Sequence, residues 1–159
     1  MLARAIMIKS KNQGELVQKI EKQLAPVSVQ GPPVVLVLTR NGHLSKTTMG
    51  YGVNVAQRLN HRLLVAYVDT MPFLWDGGRR NHLFSAAINE SVLALKKEAQ
   101  VKGVIVNHVI ETGKIGKVVH RLCRIIKNIS FIVVDRGIKK DELLSAAPVP
   151  VFYGAGSAK

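Results

Sequence analysis

Branched aliphatic runs alternating with stretches of helical spacing restrict this chain more than any other feature. The runs are Val34 to Thr39, Arg62 to Val68, Val104 to Val109 and Ile129 to Val134. None shows the strict apolar–polar alternation of a half-exposed strand, although Asn107 and His108 break the third. Continuous runs of this length suit strands buried on both faces, as in a parallel sheet. A fifth, shorter run, Val151 to Tyr153, follows Pro148 and Pro150.

The segments between the runs read as helices. Ser45 is a good N-cap for a helix through Asn60, with Met49, Val53, Ala56 and Leu59 as its buried stripe. Gly50 and Gly52 cost that helix about 1 kcal/mol each relative to alanine, and both would permit close approach to a strand. A second helix is expected over about Leu83 to Lys102, on Phe84, Ile88, Val92, Leu95 and Ala99, with Gly103 just past its end. Glu111 to Lys114 reads as a turn, and residues 115–128 as a third helix burying Val118, Val119, Leu122, Ile125 and Ile126. After Ile129–Val134 comes the loop Asp135-Arg136-Gly137, then room for a short helix over Asp141 to Ala147. Strands alternating with helices in this way give an α/β fold, a parallel sheet covered on both faces.

Residues 1–33 form an N-terminal extension ahead of a domain spanning 34–159. Leu16, Val17, Ile20 and Leu24 keep helical spacing until Pro26, and Gln30 to Pro33 reads as a linker. Thr70 to Asn81 is longer than an ordinary connection and holds turn residues with three large apolar side chains, so it is expected to be a flap or an interaction loop.

A net charge of +13 points to an acidic partner: an acidic protein, nucleic acid or an anionic membrane surface. The excess is spread along the chain, with no basic tail, so the fold must assemble any basic surface. Lys117, His120, Arg121, Arg124 and Lys127 recur at helical spacing and share one face of the third helix. That face is either a solvated surface or a partner-binding one. No aromatic residue is interleaved with it, which counts against single-stranded nucleic acid.

No apolar run approaches the ~18 residues of a membrane span, and the first residues do not read as a signal peptide. The single cysteine, Cys123, excludes an internal disulfide and fits a reducing, cytoplasmic setting. The His residues stand singly, without a second ligand at metal spacing. No nucleophile–base pairing is visible either. Catalytic, metal and cofactor roles are therefore not expected. Gly113-Lys-Ile-Gly-Lys117 lacks phosphate-loop spacing and reads as a tight turn.

Three stretches together carry a family likeness. They are Val35 to Gly42 followed by Ser45; Glu111-Thr-Gly113 with the helix after it and Phe131 to Gly137; and Ala147-Pro-Val-Pro-Val-Phe-Tyr153. In this order they resemble the universal stress protein family over residues 34–154. The resemblance implies a Rossmann-like, adenine nucleotide alpha hydrolase-like sheet of five parallel strands in the order 3-2-1-4-5. It also implies a regulatory role in stress response, and a homodimer commonly formed by pairing the last strands, here through Val149, Val151, Phe152 and Tyr153. ATP-binding members carry Gly-x-x-Gly and a later Gly-Ser or Gly-Thr after the fourth strand. Here Gly137 stands alone in that loop, Asp141 and Glu142 lie near the helix start, and Arg40 stands where the first-strand acid of those members does. The likeness is thus to the group that does not bind ATP.

What survives of such a nucleotide site would be Arg40, Asn41, Gly42, Val68, Asp135, Arg136 and Gly137, at the point where the strand order reverses. Arg40 there is either an anion-binding group or the partner of Asp135, closing the site. The expected function is a non-catalytic, dimeric regulatory module that works through an acidic partner. The alternative is a sensor of a small anion or nucleotide between the first and fourth strands.

Overall fold

The computed structural model describes residues 31–40, 42–70, 79–143 and 147–153, with the side chains of 79–84 outside the description. The expected helix over 16–24, Asn41, most of the 70–81 loop, the Phe84 side chain and part of 141–147 therefore lie outside the described residues.

The described chain runs β1 (Val34–Arg40), α1 (Lys46–Leu59), β2 (Arg62–Asp69), α2 (Arg79–Lys102), β3 (Val106–Thr112), α3 (Ile115–Ile125), β4 (Ile129–Val134) and β5 (Val151–Tyr153), with a 3-10 turn at Lys140–Glu142. The strands form one sheet in the order β3-β2-β1-β4-β5, and every pairing is parallel.

Burial on both sheet faces explains the unbroken apolar runs. Val34, Leu36 and Leu38 of β1 meet Leu64, Ala66 and Val68 of β2 and Ile132 and Val134 of β4 in one core, closed by Ile115, Val118, Val119 and Leu122 of α3. Val35 and Val37, with Leu63, Val65 and Tyr67, point the other way, against Met49, Val53 and Ala56 of α1 and Ile88, Val92 and Leu95 of α2. Successive strand residues thus feed opposite cores, and each fully buried aliphatic side chain contributes about 1.5–3 kcal/mol. Tyr67 also places its hydroxyl 2.8 Å from that of Ser91, which satisfies a polar group deep in the second core.

Local signals fix the helix ends. Ser45 caps α1, its Oγ accepting from Thr48 N at 3.2 Å, and Asn60 closes it in the left-handed region at φ 57°. Gly103, at φ 69°, ends α2, and Val104 N donates to Ala99 O at 2.9 Å.

Several boundaries differ from the sequence reading. β3 begins two residues later than expected and takes in Glu111 and Thr112, because its pairing continues from Leu63–Val106 to Asp69–Thr112. α2 begins at Arg79 rather than Leu83, and α3 ends at Ile125. Leu59 is 49% exposed rather than buried, since it sits at the last turn of α1, beyond the sheet. Only the 3-10 turn at Lys140–Glu142 is seen where a two-turn helix was expected to begin.

The two glycines of α1 also part company. A Cβ at Gly52 would lie 3.2 Å from Val37 Cγ2 and 3.5 Å from Leu63 Cδ1, whereas one at Gly50 meets nothing within 4 Å. Gly52 is where α1 touches the sheet. Gly50→Ala is expected to stabilise the fold by about 0.5–1 kcal/mol through helix propensity, and Gly52→Val to destabilise it by about 1–3 kcal/mol through overpacking. Urea denaturation of the two variants beside the parent protein checks both signs.

Candidate functional site

In an open parallel sheet the ligand crevice lies beyond the carboxyl ends of the strands, where the order reverses. Here that point falls between β1 and β4. The ends of these strands and the N-terminus of α1 meet there, and the buried polar residues among those described, Ser91 apart, lie towards this end of the sheet: Thr39, Thr48, Asp69, Glu111 and Asp135.

Asp135 is the centre of the arrangement. Its backbone N–H continues the sheet ladder to Leu38 O at 2.9 Å. Its Oδ1 accepts from Ser45 Oγ at 2.6 Å, Thr48 Oγ1 at 2.7 Å and the Arg136 N–H at 2.9 Å. Its Oδ2 accepts from the Ser45 N–H at 2.9 Å and lies 3.1 Å from Thr39 Oγ1. The Thr39 hydroxyl donates at 2.6 Å to His43 O, which ties down the loop after β1. Burial pushes the Asp135 carboxyl up, but the hydroxyls of Ser45 and Thr48 and the N–H groups of Ser45 and Arg136 outweigh it and hold the group below the ordinary aspartate range. α1 has no acidic residue of its own in its first turn. The Asp135 carboxylate supplies the negative charge that a helix N-terminus favours.

Arg40 does not pair with Asp135. Its Nη2 donates to Glu142 Oε1, while Glu142 Oε2 accepts from the Lys139 N–H at 3.0 Å. With the Asp135 oxygens already occupied, the guanidinium is left to the carboxylate delivered by the 3-10 turn. The Arg40 Nε is buried and has no hydrogen-bond partner among the described residues. Val68 sits opposite Arg40 in the β1–β2 register, Gly42 and Gly137 take positive φ of 77° and 93°, and Arg136 is exposed. The structure thus brings Arg40, Gly42, Val68, Asp135, Arg136 and Gly137 to one edge. Thr39 and Thr48 share that edge but were not singled out from sequence, although Thr48, three residues after the N-cap, had a local signal; Glu142, noted there only as an acid against phosphate, proves to be the partner of Arg40.

Glu111 is another of the carboxylates buried towards this edge. At the end of β3, it is 1% exposed and accepts from Arg121 Nη2 of α3 at 2.5 Å. Burial raises its carboxyl above the ordinary glutamate value even though the Arg121 hydrogen bond and charge pull it down. This corrects the expected basic face: Lys117, His120, Arg124 and Lys127 are exposed, but the Arg121 side chain is only 18% exposed and committed to Glu111. Cys123 is half-buried, and burial raises its thiol. Among the described residues no group of His, Cys, Asp and Glu could hold a metal ion, and no helix is long and apolar enough to cross a membrane.

The element order, the all-parallel sheet and its reversal between β1 and β4 place the chain among the doubly wound α/β folds. Within that class the fold is that of the universal stress proteins. The chain matches UspA from Lactobacillus plantarum with a TM-score of 0.56 and 16% identity, over 77% of this chain and 97% of that one. A universal stress protein family member from Burkholderia pseudomallei matches with a TM-score of 0.56 and 21% identity, over 76% and 94% of the two chains. The Archaeoglobus fulgidus universal stress protein in complex with dAMP matches with a TM-score of 0.55 and 13% identity, over 77% and 97%. No protein-family model matches the sequence, and no curated protein matches it.

Two outcomes follow from the buried carboxylates. The depressed Asp135 group contributes stability above the ordinary aspartate value of 3.8, lost as pH falls through its folded value. Asp135→Asn, which cannot ionise there, should flatten the acid limb of a stability–pH curve measured by urea denaturation. Asp135→Ala leaves several donors unsatisfied and should cost about 3 kcal/mol near neutral pH. Arg121→Glu sets a second carboxylate against buried Glu111 and should cost about 3–5 kcal/mol. Arg124→Glu, one turn away and exposed, should stay within about 0.5 kcal/mol.

Proposed function

We propose that this chain is a non-catalytic regulatory module of the universal stress protein type. On this reading it does not hold ATP at the β1/β4 crevice, acts through an acidic partner, and resides in the cytoplasm. The observation that carries the reading is the Asp135 carboxylate at the N-terminus of α1, satisfied by two hydroxyls and two backbone N–H groups. A phosphate held at the N-terminus of α1 would need those same donors, and one held at the loop after β4 would meet Glu142 and the exposed Asp141. The Archaeoglobus relative is described in complex with dAMP; on this reading the Asp135 carboxylate keeps the N-terminus of α1 from an anionic ligand.

One observation favours a second reading. The buried Arg40 Nε lacks a partner among the described residues, so a small anion that displaced Glu142 would gain a guanidinium. Titration of the full chain with ATP, AMP, cAMP and inorganic phosphate, read by thermal and urea stability at low and moderate salt, separates the two. A ligand at 100 times its Kd adds about 2.7 kcal/mol. The first reading expects no saturable gain at moderate salt from any of the four. A gain from phosphate that disappears in Arg40→Met would establish the second reading, and micromolar ATP binding that survives moderate salt would overturn the first.

Assembly belongs to the same proposal. β5 is a short open edge in which Phe152 is 46% exposed and packs edge-on against Phe131 at 5.3 Å. Soluble proteins cover or pair such edges, and a two-fold axis through β5 would bury Val149, Val151, Phe152 and Tyr153 of both copies. Light scattering is expected to give a dimer mass that falls to the monomer in Phe152→Lys; a monomer for the parent chain at high micromolar concentration would refute the assignment.

A further inference from the structure

The basic excess becomes lopsided once the chain is folded. Lys114, Lys117, Arg124 and Lys127 follow one another along α3 and its flanks, and all are exposed. The other face of α3, made of Ile115, Val118, Val119 and Leu122, is buried against the sheet. Ile138 and Leu143 pack into that same core, so the segment after β4 lies on the same side and adds exposed Arg136, Lys139 and Lys140. From residue 113 to residue 140 the only acid is Asp135, which is 3% exposed. Asp141 is the exposed acid beyond that segment, and Glu142 is held by Arg40. The opposite layer is basic too, with Lys46 and Arg58 on α1, but α2 there interleaves Glu90 and Glu98 with Arg79, Arg80, Lys96, Lys97 and Lys102.

Shape and apolar exposure narrow the partner. α1 and α2 share one side of the sheet, whereas α3 is the one described α-helix on the other, where it forms a ridge. Among the described residues, the large apolar side chains that remain exposed belong to α1, α2, β5 and the segment of β3; none lies on α3 or on 136–140. An anionic membrane surface is gripped through apolar anchors beside the cations, an acidic protein through a desolvated aromatic or aliphatic centre, and a single strand through stacking aromatics. A ridge carrying cations and no apolar anchor fits a regular array of phosphates. From Lys114 to Lys127 the chain spans roughly 20 Å at helical rise, a length over which one strand of B-form DNA presents about six phosphates. The B-form major groove admits an α-helix, whereas that of A-form RNA is too narrow.

We propose that the α3 ridge is a docking surface for double-stranded DNA, held through the phosphate backbone by Lys114, Lys117, Arg124 and Lys127 without regard to base sequence. This deepens the reading of a module with an acidic partner and rests on it. It does not rest on the closed crevice: if ATP binds but the results below hold, the crevice reading falls and this one stands.

The test is fluorescence anisotropy of the full chain with a labelled DNA duplex of mixed sequence across a salt series. Binding is expected, with a slope of log K against log salt of about −4 for four phosphate contacts. The double variant Lys117→Glu, Arg124→Glu should weaken affinity at least about tenfold and make the slope shallower by about 2. A control with the same change in net charge, Lys96→Glu, Lys97→Glu on α2, should stay within about twofold of the parent, since those side chains make no phosphate contact. Thermal unfolding confirms that both variants are folded. Equal losses in the two variants would reduce the effect to net charge and overturn the assignment. So would absence of DNA binding by the parent chain. Tighter binding, at matched salt, to an RNA duplex of the same sequence, to phosphatidylserine vesicles or to polyglutamate would overturn it as well.

Discussion

The carboxylate of Asp135 is the interaction on which the working edge of this protein depends. It belongs to the end of β4, yet its hydrogen bonds run to the first residues of α1 and towards the last turn of β1. A buried charge is tolerated only when its lone pairs are satisfied, and here satisfaction comes from groups that helix formation itself leaves unpaired. Capping α1 and tying it to the ends of β1 and β4 are therefore one event. Arg40, deprived of that carboxylate, turns to Glu142 and draws the 3-10 turn over the same edge.

This logic explains what could be read from the sequence. β4 occupies Ile129–Val134 as expected, because a six-residue apolar run bounded by Asn128 and Asp135 has one way to be buried. α1 was equally legible, since Ser45 is a cap whose partner, Thr48, lies within one turn. β3 was not. It is an edge strand with partly exposed positions, and its register is set by β2, so the end of its apolar run did not mark the end of the strand. Arg121 misled for a related reason. Its spacing placed it with the exposed cations, but the carboxylate that claims it lies ten residues earlier, on a strand whose extent was underestimated. Partners brought together by pairing between strands leave no periodic trace.

The charge distribution has the same origin. An amphipathic helix on a sheet has one face free to vary, and α3 fills that face with cations while its inner face stays aliphatic. Glu111 neutralises one of those cations from within, and the others remain in water. Composition alone could say only that the chain was basic; the right-handed crossover from β3 to β4 decides on which side of the molecule that basicity is displayed.

The opposite edge of the sheet gives the molecule a polarity. Arg62 N donates to Pro33 O at 2.9 Å, Asn128 Nδ2 donates to Pro32 O at 3.1 Å, and a Cβ on Gly31 would stand 2.7 Å from the Arg62 guanidinium carbon. The chain is thus threaded into the domain at the amino ends of β1, β2 and β4, a full strand length from Asp135. Gly31 lies against the Arg62 guanidinium at the far pole. A load applied to the chain there would reach the amino ends of β1, β2 and β4 first, a full strand length from the hydrogen bonds of Asp135.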